Sequence, residues 1–332
     1  MSVLAAPAAL AGLLEQPGVT DVLVNGPEAV WVDGVGGLRR VAVHLGDATA
    51  VRSLAVRLAA QGGRRLDDAA PMVDVHLPGG VRMHAVVGPI APGGPLISFR
   101  VFRRQALTLD DLAACGTVGP EGAEVLRALV GARVNLMVSG ATGAGKTTLL
   151  SALVSLASPG ERIVVIEEAQ EIVTAHPHCV RLEARDANAE GSGLVTLTEL
   201  VRESLRMRPD RIVLGECRGP EVREVLTALN TGHDGSAATI HANSCRDVPA
   251  RLVALGSLAG LDGRTVAVQA AAALGAVVHL ARDGAGARRV TELAAFELAG
   301  GELAARPALS FNPDGLVEGP GWARLGKRLA RR

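Results

Sequence analysis

GATGAGKT, residues 140–147, is the stretch that decides the fold. Its glycines, Gly140, Gly143 and Gly145, allow a backbone turn tight enough to aim successive N–H groups at a phosphate held at the positive end of a following helix. Lys146 then places a cation beside the β- and γ-phosphates of a nucleotide, and Thr147 offers a hydroxyl to Mg²⁺. Gly140, Ala141, Thr142, Gly143, Ala144, Gly145, Lys146, Thr147 and Thr148 are therefore the candidate nucleotide-binding run. The surroundings suit that role. RVNLMVS reads as a buried strand before the turn, and KTTLLSALVSLA as a helix after it, stopped by Pro159 and Gly160.

Working outward, strand and helix patterns alternate from about residue 119, which is how a parallel sheet with helices on both faces is written in sequence. RIVVI leads into the acidic EEAQE, LTELVRESLRM into the strand RIVLG, and PEVREVLTALN ends at Gly232 before SAATIHA. A late hairpin is expected from AVVHLAR, the turn DGAGA and RRVTELAAFEL. A phosphate cradle does not activate water, so a carboxylate is expected at the tip of a neighbouring strand, where the ligand crevice of such sheets lies. Glu216 ends the strand Ile212–Leu214, and Glu167 with Glu168 ends Ile163–Ile166. Both strands are expected to flank the P-loop strand. His233 and His241 bracket the strand that follows, and an imidazole beside the γ-phosphate can sense its loss. Glu216, Glu167, Lys146 and His241 are the catalytic candidates, with Thr147 and Glu216, the latter through water, as Mg²⁺ candidates.

Residues 1–105 combine short strand patterns, VTDVLVN and AVWVDG among them, with a helical ATAVRSLAVRLAAQGG and two later strands, GVRMHAVVG and LISFRVFR. A smaller α/β domain is expected there, then a linker at 106–118, an ATPase domain at 119–310, and a basic, flexible tail at 311–332. The chain has 332 residues, enough for two domains with cores of their own. Its 34 Lys and Arg balance 34 Asp and Glu, and only 2% is aromatic, which disfavours nucleic acid as a partner. The four cysteines form no C-x-x-C pair, against a zinc module or a disulfide framework. The local H-P-H-C at His176–Cys179 lacks a second ligand pair. The N-terminus carries no Lys or Arg ahead of its apolar run, and AVAVQAAAALGAVVHLA breaks at Gly275, so neither a secretory signal nor a spanning helix is expected. The expected compartment is the cytoplasm.

Four boxes in order resemble the secretion and pilus-assembly ATPases of type II and type IV systems. Gly140–Thr147 is similar to the Walker A box, RIVVIEEAQEI to the Asp box, RPDRIVLGECRG to the atypical Walker B, and NTGHDGSAATIHANS to the His box. VRLEARDANAEGSGLVTLTELVRESLRMRPDRIVLGE and RRLDDAAPMVDVHLPGGVRMHAVV most resemble the branch serving tight-adherence (Flp) pili and conjugation-associated clusters of actinobacteria. The resemblance runs from about Val19 to Leu298. It implies a RecA-like P-loop domain with a mostly parallel sheet, preceded by a smaller, PAS-like α/β domain. It also implies ATP and Mg²⁺ as ligands, a homohexameric ring, peripheral attachment at the cytoplasmic face of the inner membrane, and a polytopic platform protein as partner.

By motif position, the resemblance makes Arg82 and Arg100 arginines that reach the nucleotide from the N-terminal domain. It makes Arg181 and Arg185 candidates for a neighbouring subunit's site, while Arg218 braces the acidic cluster. Guanidinium forks suit phosphate oxygens, and a trans arginine couples hydrolysis to subunit motion. Two departures stand out. Glu167-Glu168 replaces the usual Glu-Asp, and the tetracysteine insert of the type II branch is missing. A nucleotide-binding scaffold without turnover and a nucleic-acid translocase are the competing readings. The first has only Glu168 in its favour, and balanced charge opposes the second.

Overall fold

The computed structural model describes residues 6–34, 37–101, 106–185, 187, 192–284, 286–312 and 315–330. The chain divides into two compact units, Met1–Arg104 with Ala187–Ser192, and Gln105–Asp186 with Gly193–Arg332.

The first unit contains α1 (Ala8–Glu15), β1 (Val19–Asn25), β2 (Val30–Gly34), β3 (Arg39–Val41), α2 (Ala48–Gln61), β4 (Met72–Leu77), β5 (Val81–Val86) and β6 (Leu96–Val101). The strands form one sheet in the order β3-β2-β1-β6-β5-β4, with every neighbouring pair antiparallel. Alternation decides which residues are buried. Val22, Phe99, Met83 and Val75 are register partners across four strands, and they are buried in one cluster with Val51, Leu54 and Leu58 of α2. One residue out of phase with these, Asp21, Arg100, Arg82 and His76 line up on the opposite face. The Asp47 carboxylate caps α2 by accepting from Ala50 N at 2.8 Å.

The second unit opens with α3 (Leu109–Ala114), α4 (Pro120–Gly131), β7 (Leu136–Gly140), α5 (Lys146–Ser155), β8 (Ile163–Glu167) and β9 (Cys179–Glu183). It continues with α6 (Leu197–Ser204), β10 (Arg211–Cys217), α7 (Val222–Leu229), β11 (Ala237–Ile240), α8 (Val248–Leu258) and α9 (Gly263–Ala273). Strands β12 (Ala276–Arg282), β13 (Arg288–Ala299), β14 (Glu302–Asn312) and β15 (Gly315–Glu318) follow, and α10 (Trp322–Leu329) comes last.

The nine-stranded sheet runs β15-β14-β13-β12-β7-β11-β10-β8-β9. From β12 to β9 all pairs are parallel, whereas β12 to β15 form an antiparallel meander. The expected hairpin is its first turn. Because the central strands are covered on both faces, their apolar runs split by parity. Leu136, Val138, Val165 and Val213 enter one core with α3, α4 and α5, whereas Met137, Ile166, Leu214 and Ala238 enter the other with α6, α7, α8 and α9.

Three expectations are corrected here. The tip strands β8 and β10 do not flank the P-loop strand: β7 lies between β11 and β12, with β10 and β8 further out. The strand SAATI, short and small-chained, fills the place expected of them. The linker at 106–118 contains helix α3, capped reciprocally by Thr108 and Asp111, with Leu109, Leu112 and Val118 buried in the second unit's core. The tail is structured as well. β15 pairs with β14, and Leu325 of α10 is fully buried, worth about 1.5–3 kcal/mol of hydrophobic transfer. Arg324 and Lys327 are exposed on this helix, whereas Arg328 is half-buried with its guanidinium beside Gly275.

Candidate active site

The P-loop leaves the C-terminal end of β7 and closes on the first turn of α5. Gly143 (φ 72°) and Gly145 (φ 98°) occupy the left-handed region, where a side chain would be strained, and Gly145 is the N-cap of α5. At Gly140 the constraint is space, since a Cβ there would lie 2.5 Å from the carbonyl oxygen of Leu280. Ala141, Thr142 and Gly143 are exposed at the tip, whereas Lys146 is buried. The Lys146 ammonium donates to Gly140 O at 3.1 Å and Ala141 O at 3.0 Å. Ala141 O also accepts from Ala144 N at 3.2 Å. Burial pulls the Lys146 pKa down, and the Glu216 carboxylate works against that shift.

His241 follows directly after β11, and Glu216 sits near the end of β10. The Lys146 ammonium is 3.3 Å from His241 Nδ1, and His241 Nε2 is 2.6 Å from Glu216 Oε1. Burial holds the imidazole pKa below its usual value, against the pull of Glu216. A neutral ring with its proton on Nε2 lets Nδ1 accept from Lys146; that tautomer is assigned from the contacts. Pairing between β10 and β11 slips between Leu214 and Cys217, a bulge that re-aims Glu216, and Thr239 Oγ1 fastens it by donating to Gly215 O at 2.6 Å. Arg218 holds the carboxylate from the other side. Its Nη2 donates to Glu216 Oε2 at 2.8 Å and its Nη1 to Glu168 Oε2 at 3.0 Å, so Arg218 does bridge the acidic cluster. Glu216 Oε1 lies at ion-pair distance from both His241 and Arg218, yet no hydrogen bond is aligned on it.

Glu167 plays a different part from the one expected. It is buried and turned inward, and its Oε1 accepts from Glu171 N at 3.0 Å and Ile172 N at 2.8 Å. Gly215 makes room for it, because a Cβ there would lie 2.8 Å from Glu167 Cγ. Its Oε2 is buried without a partner. Burial pushes the pKa up to about 7, despite the two backbone N–H groups. Glu167 thus shapes the loop after β8, and that loop brings a carboxylate the sequence reading did not single out: Glu171, whose Oε2 accepts from Thr147 Oγ1 at 3.4 Å. The only signal for Glu171 was its place in the acidic EEAQE.

The raised pKa carries a consequence for stability. The folded chain keeps this proton between the ordinary value of 4.5 and about 7, so the contribution is full below the lower value and is lost as pH rises through the upper one. Glu167→Gln retains an acceptor for the two N–H groups but has no proton to lose. In urea unfolding from about pH 5 to about pH 8, wild-type protein is expected to lose on the order of 3 kcal/mol more than the variant. Parallel curves would show that Glu167 does not set the slope.

The remaining candidates scatter. His233 is a correction. It precedes β11 whereas His241 follows it, so the two lie at opposite ends of the strand, and His233 Nδ1 bonds Ala228 O at 2.9 Å beside the end of α7. A strand bracketed by two histidines can present only one at its C-terminal end. In the first unit, Arg82 forks onto Asp74 at 2.7 and 2.8 Å, and Arg100 donates to Asp21 at 3.1 Å. These two arginines are register partners on adjacent strands, two cations side by side on the sheet's polar face. Arg181 lies on β9, the outermost strand, where its charge partly offsets the burial of Glu167. Arg185 pairs with Val195 as an isolated bridge and packs its guanidinium over Gly193. In the H-P-H-C stretch, His176 Nε2 bonds Ser158 O and His178 Nε2 bonds Arg162, each at 2.9 Å. Among the described residues no group of His, Cys, Asp or Glu is arranged to hold a metal by itself. A cleft of about 670 Å³ opens beside the P-loop tip, lined by Ala141, Thr142, His241, Asn243, Asp247 and Arg251; the last three were not singled out from sequence.

Residues 5–304 match the family described as Type II/IV secretion system protein. The chain belongs to that family. Within it, the chain is a P-loop ATPase with an N-terminal unit ahead of a RecA-like one. It is 52% identical over 299 residues, 88% of this chain and 85% of the relative, to a protein of Mycobacterium tuberculosis provisionally named for conjugal transfer. It is 33% identical over 231 residues, 68% of each chain, to the conjugal transfer protein TrbB of Rhizobium radiobacter. The pilus retraction motor PilT, solved with bound ADP, superposes with a TM-score of 0.60 at 18% identity, over 97% of this chain and 85% of its own, and shares the fold. Among the described residues, no helix is long and apolar enough to cross a membrane.

Proposed function

We propose that this chain hydrolyses ATP to ADP and phosphate in a Mg²⁺-dependent reaction, as a homohexameric ring at the cytoplasmic face of the inner membrane. There it would drive a polytopic platform protein of a pilus, secretion or conjugation-like system. The carrying observation is the relay from the P-loop lysine to the strand-tip carboxylate: Lys146 Nζ to His241 Nδ1 at 3.3 Å, and His241 Nε2 to Glu216 Oε1 at 2.6 Å. A relay of this kind touches the triphosphate at one end and the attacking water at the other.

In that reaction Lys146 and the loop N–H groups hold the β- and γ-phosphates. Glu216 orients a water and accepts its proton as the new O–P bond forms and the bond to the β-phosphate oxygen breaks. His241, neutral between the lysine and the carboxylate, senses whether the γ-phosphate is present. Thr147 Oγ1 and the Glu171 carboxylate, 3.4 Å apart, are hard oxygen donors of the type Mg²⁺ takes, with Glu216 the next carboxylate toward the relay. The ion, when bound, offsets the charge of the phosphates. Glu167 supports Glu171 through two backbone hydrogen bonds and acts as a positioning residue. Arg82 and Arg100 are proposed to reach phosphate oxygens from the first unit, and Arg181 and Arg185 to reach a neighbouring subunit.

Phosphate release from ATP is the test. Turnover is expected with Mg²⁺ and should vanish when EDTA removes it. Release that continued unchanged in EDTA would contradict the metal assignment, and none above background, even with the membrane partner present, would leave a nucleotide-binding scaffold. A chain that stayed monomeric in ATP during sedimentation would count against the ring.

A further inference from the structure

The β12–β13 hairpin ends beside the phosphate loop, and two of its arginines converge on a single loop atom. Arg282 and Arg288 are register partners at the mouth of the hairpin. Arg282 Nη2 donates to Gly143 O at 3.1 Å and Arg288 Nε donates to the same oxygen at 2.9 Å. A carbonyl oxygen has two lone pairs, and these two donors match that number. Given ATP as the loop's ligand, we propose that Arg282 and Arg288 are positioning residues for the phosphate cradle: they hold the Gly143 carbonyl outward so that the Ala144 N–H stays turned into the loop.

The geometry follows from the peptide bond. In a planar trans peptide the C=O and the following N–H point in opposite directions, so fixing one fixes the other. The Gly143 carbonyl points to the hairpin, and the Ala144 N–H points the other way, to Ala141 O at 3.2 Å. The Lys146 ammonium meets that same Ala141 oxygen at 3.0 Å, so the N–H lies on the lysine's side of the loop, where phosphate binds. Gly143 has no side chain to resist a peptide flip, and its φ of 72° belongs to a residue with wide backbone freedom. Without an outside hold, that peptide could turn its oxygen toward the anion. Two cations on the carbonyl also polarise the peptide and strengthen its N–H as a donor.

The hairpin is built to hold position. Asp283 N donates to Ala287 O at 2.9 Å, and the Asp283 carboxylate accepts from Ala287 N at 2.9 Å and from Arg289 Nε at 2.8 Å. Arg289 is tied in addition to Gly116 O at 3.0 Å. The other arm, β12, pairs directly with the P-loop strand, Leu280 opposite Gly140. Like charges facing each other across a strand pair repel, so placing Arg282 against Arg288 carries a cost that the shared carbonyl offsets.

The experiment is nucleotide titration of the full chain carrying Arg282→Ala with Arg288→Ala, beside wild type and Lys146→Ala. The loop amides serve the β-phosphate that ADP and ATP share. Affinity for both is therefore expected to fall by a similar factor, about tenfold or more, and KM for ATP to rise by more than kcat falls. Arg282→Lys with Arg288→Lys, which keeps an ammonium donor at each position in place of the guanidinium, should recover part of the loss. Undiminished ADP affinity in a double alanine variant that melts at the wild-type temperature would overturn the proposal, as would a loss confined to ATP. If the double variant failed to fold, the lysine pair and the single alanine variants would decide in the same way. Wild type that bound no nucleotide would instead bring down the ATP site itself, a result distinguishable from the others by the wild-type and Lys146→Ala controls.

Discussion

Glu216→Gln protein is expected to bind ATP with near wild-type affinity and to release phosphate at least a hundredfold more slowly. The amide keeps an oxygen where the carboxylate was, so the relay to His241 and the contact with Arg218 change little in shape. What it lacks is the capacity to accept a proton from water, a contribution of about 10²–10⁴ in rate. Loss of the negative charge also leaves Lys146, His241 and Arg218 without the carboxylate that lies between them. Single-turnover phosphate release with bound nucleotide measured in parallel checks this. Wild-type turnover would remove Glu216 from the chemistry and direct attention to Glu171.

Arg211→Ala is expected to destabilise the second unit by about 3–5 kcal/mol, far from any nucleotide. Arg211 starts β10 at the end of the sheet away from the P-loop and is only 5% exposed. Its guanidinium pairs with Glu161 and donates to Gly235 O at 3.1 Å and Val130 O at 3.2 Å. Removing it leaves the Glu161 carboxylate, now held low by Arg211 and Arg133 against burial, short of its main partner. It also takes the side-chain donor from Gly235 O, whereas Val130 O keeps the Arg133 N–H at 3.0 Å. Urea unfolding gives the number, and ATP affinity of the folded fraction should stay unchanged. A loss under about 1 kcal/mol would mean that water replaces the guanidinium at little cost.

Much of the architecture was legible because each element speaks locally. The P-loop, the acidic strand tips and the glycine break at Gly275 all state their conformation within a few residues, and the fold class followed. Strand order did not, because RIVVI and SAATI carry no mark of which one lies beside β7; that is settled by crossovers distant in sequence. The tail misled for another reason. Its cations dominate the composition, whereas Trp322, Leu325 and Leu329, three and four residues apart, are the positions that pack against the core. The separation of His233 from His241 was available from strand direction alone. Glu171 was not, since its position depends on how Glu167 gathers the loop amides, and the two arginines on Gly143 were hidden because basic residues around a turn ordinarily face water.

Ala141 O, reached by both Lys146 Nζ and Ala144 N, gives the resting loop a threshold. Drawing away one donor leaves the other in place and the turn closed. Phosphate oxygens that took up both donors would release Ala141 O, and because Ala141 is exposed at the loop tip, water can satisfy the freed carbonyl.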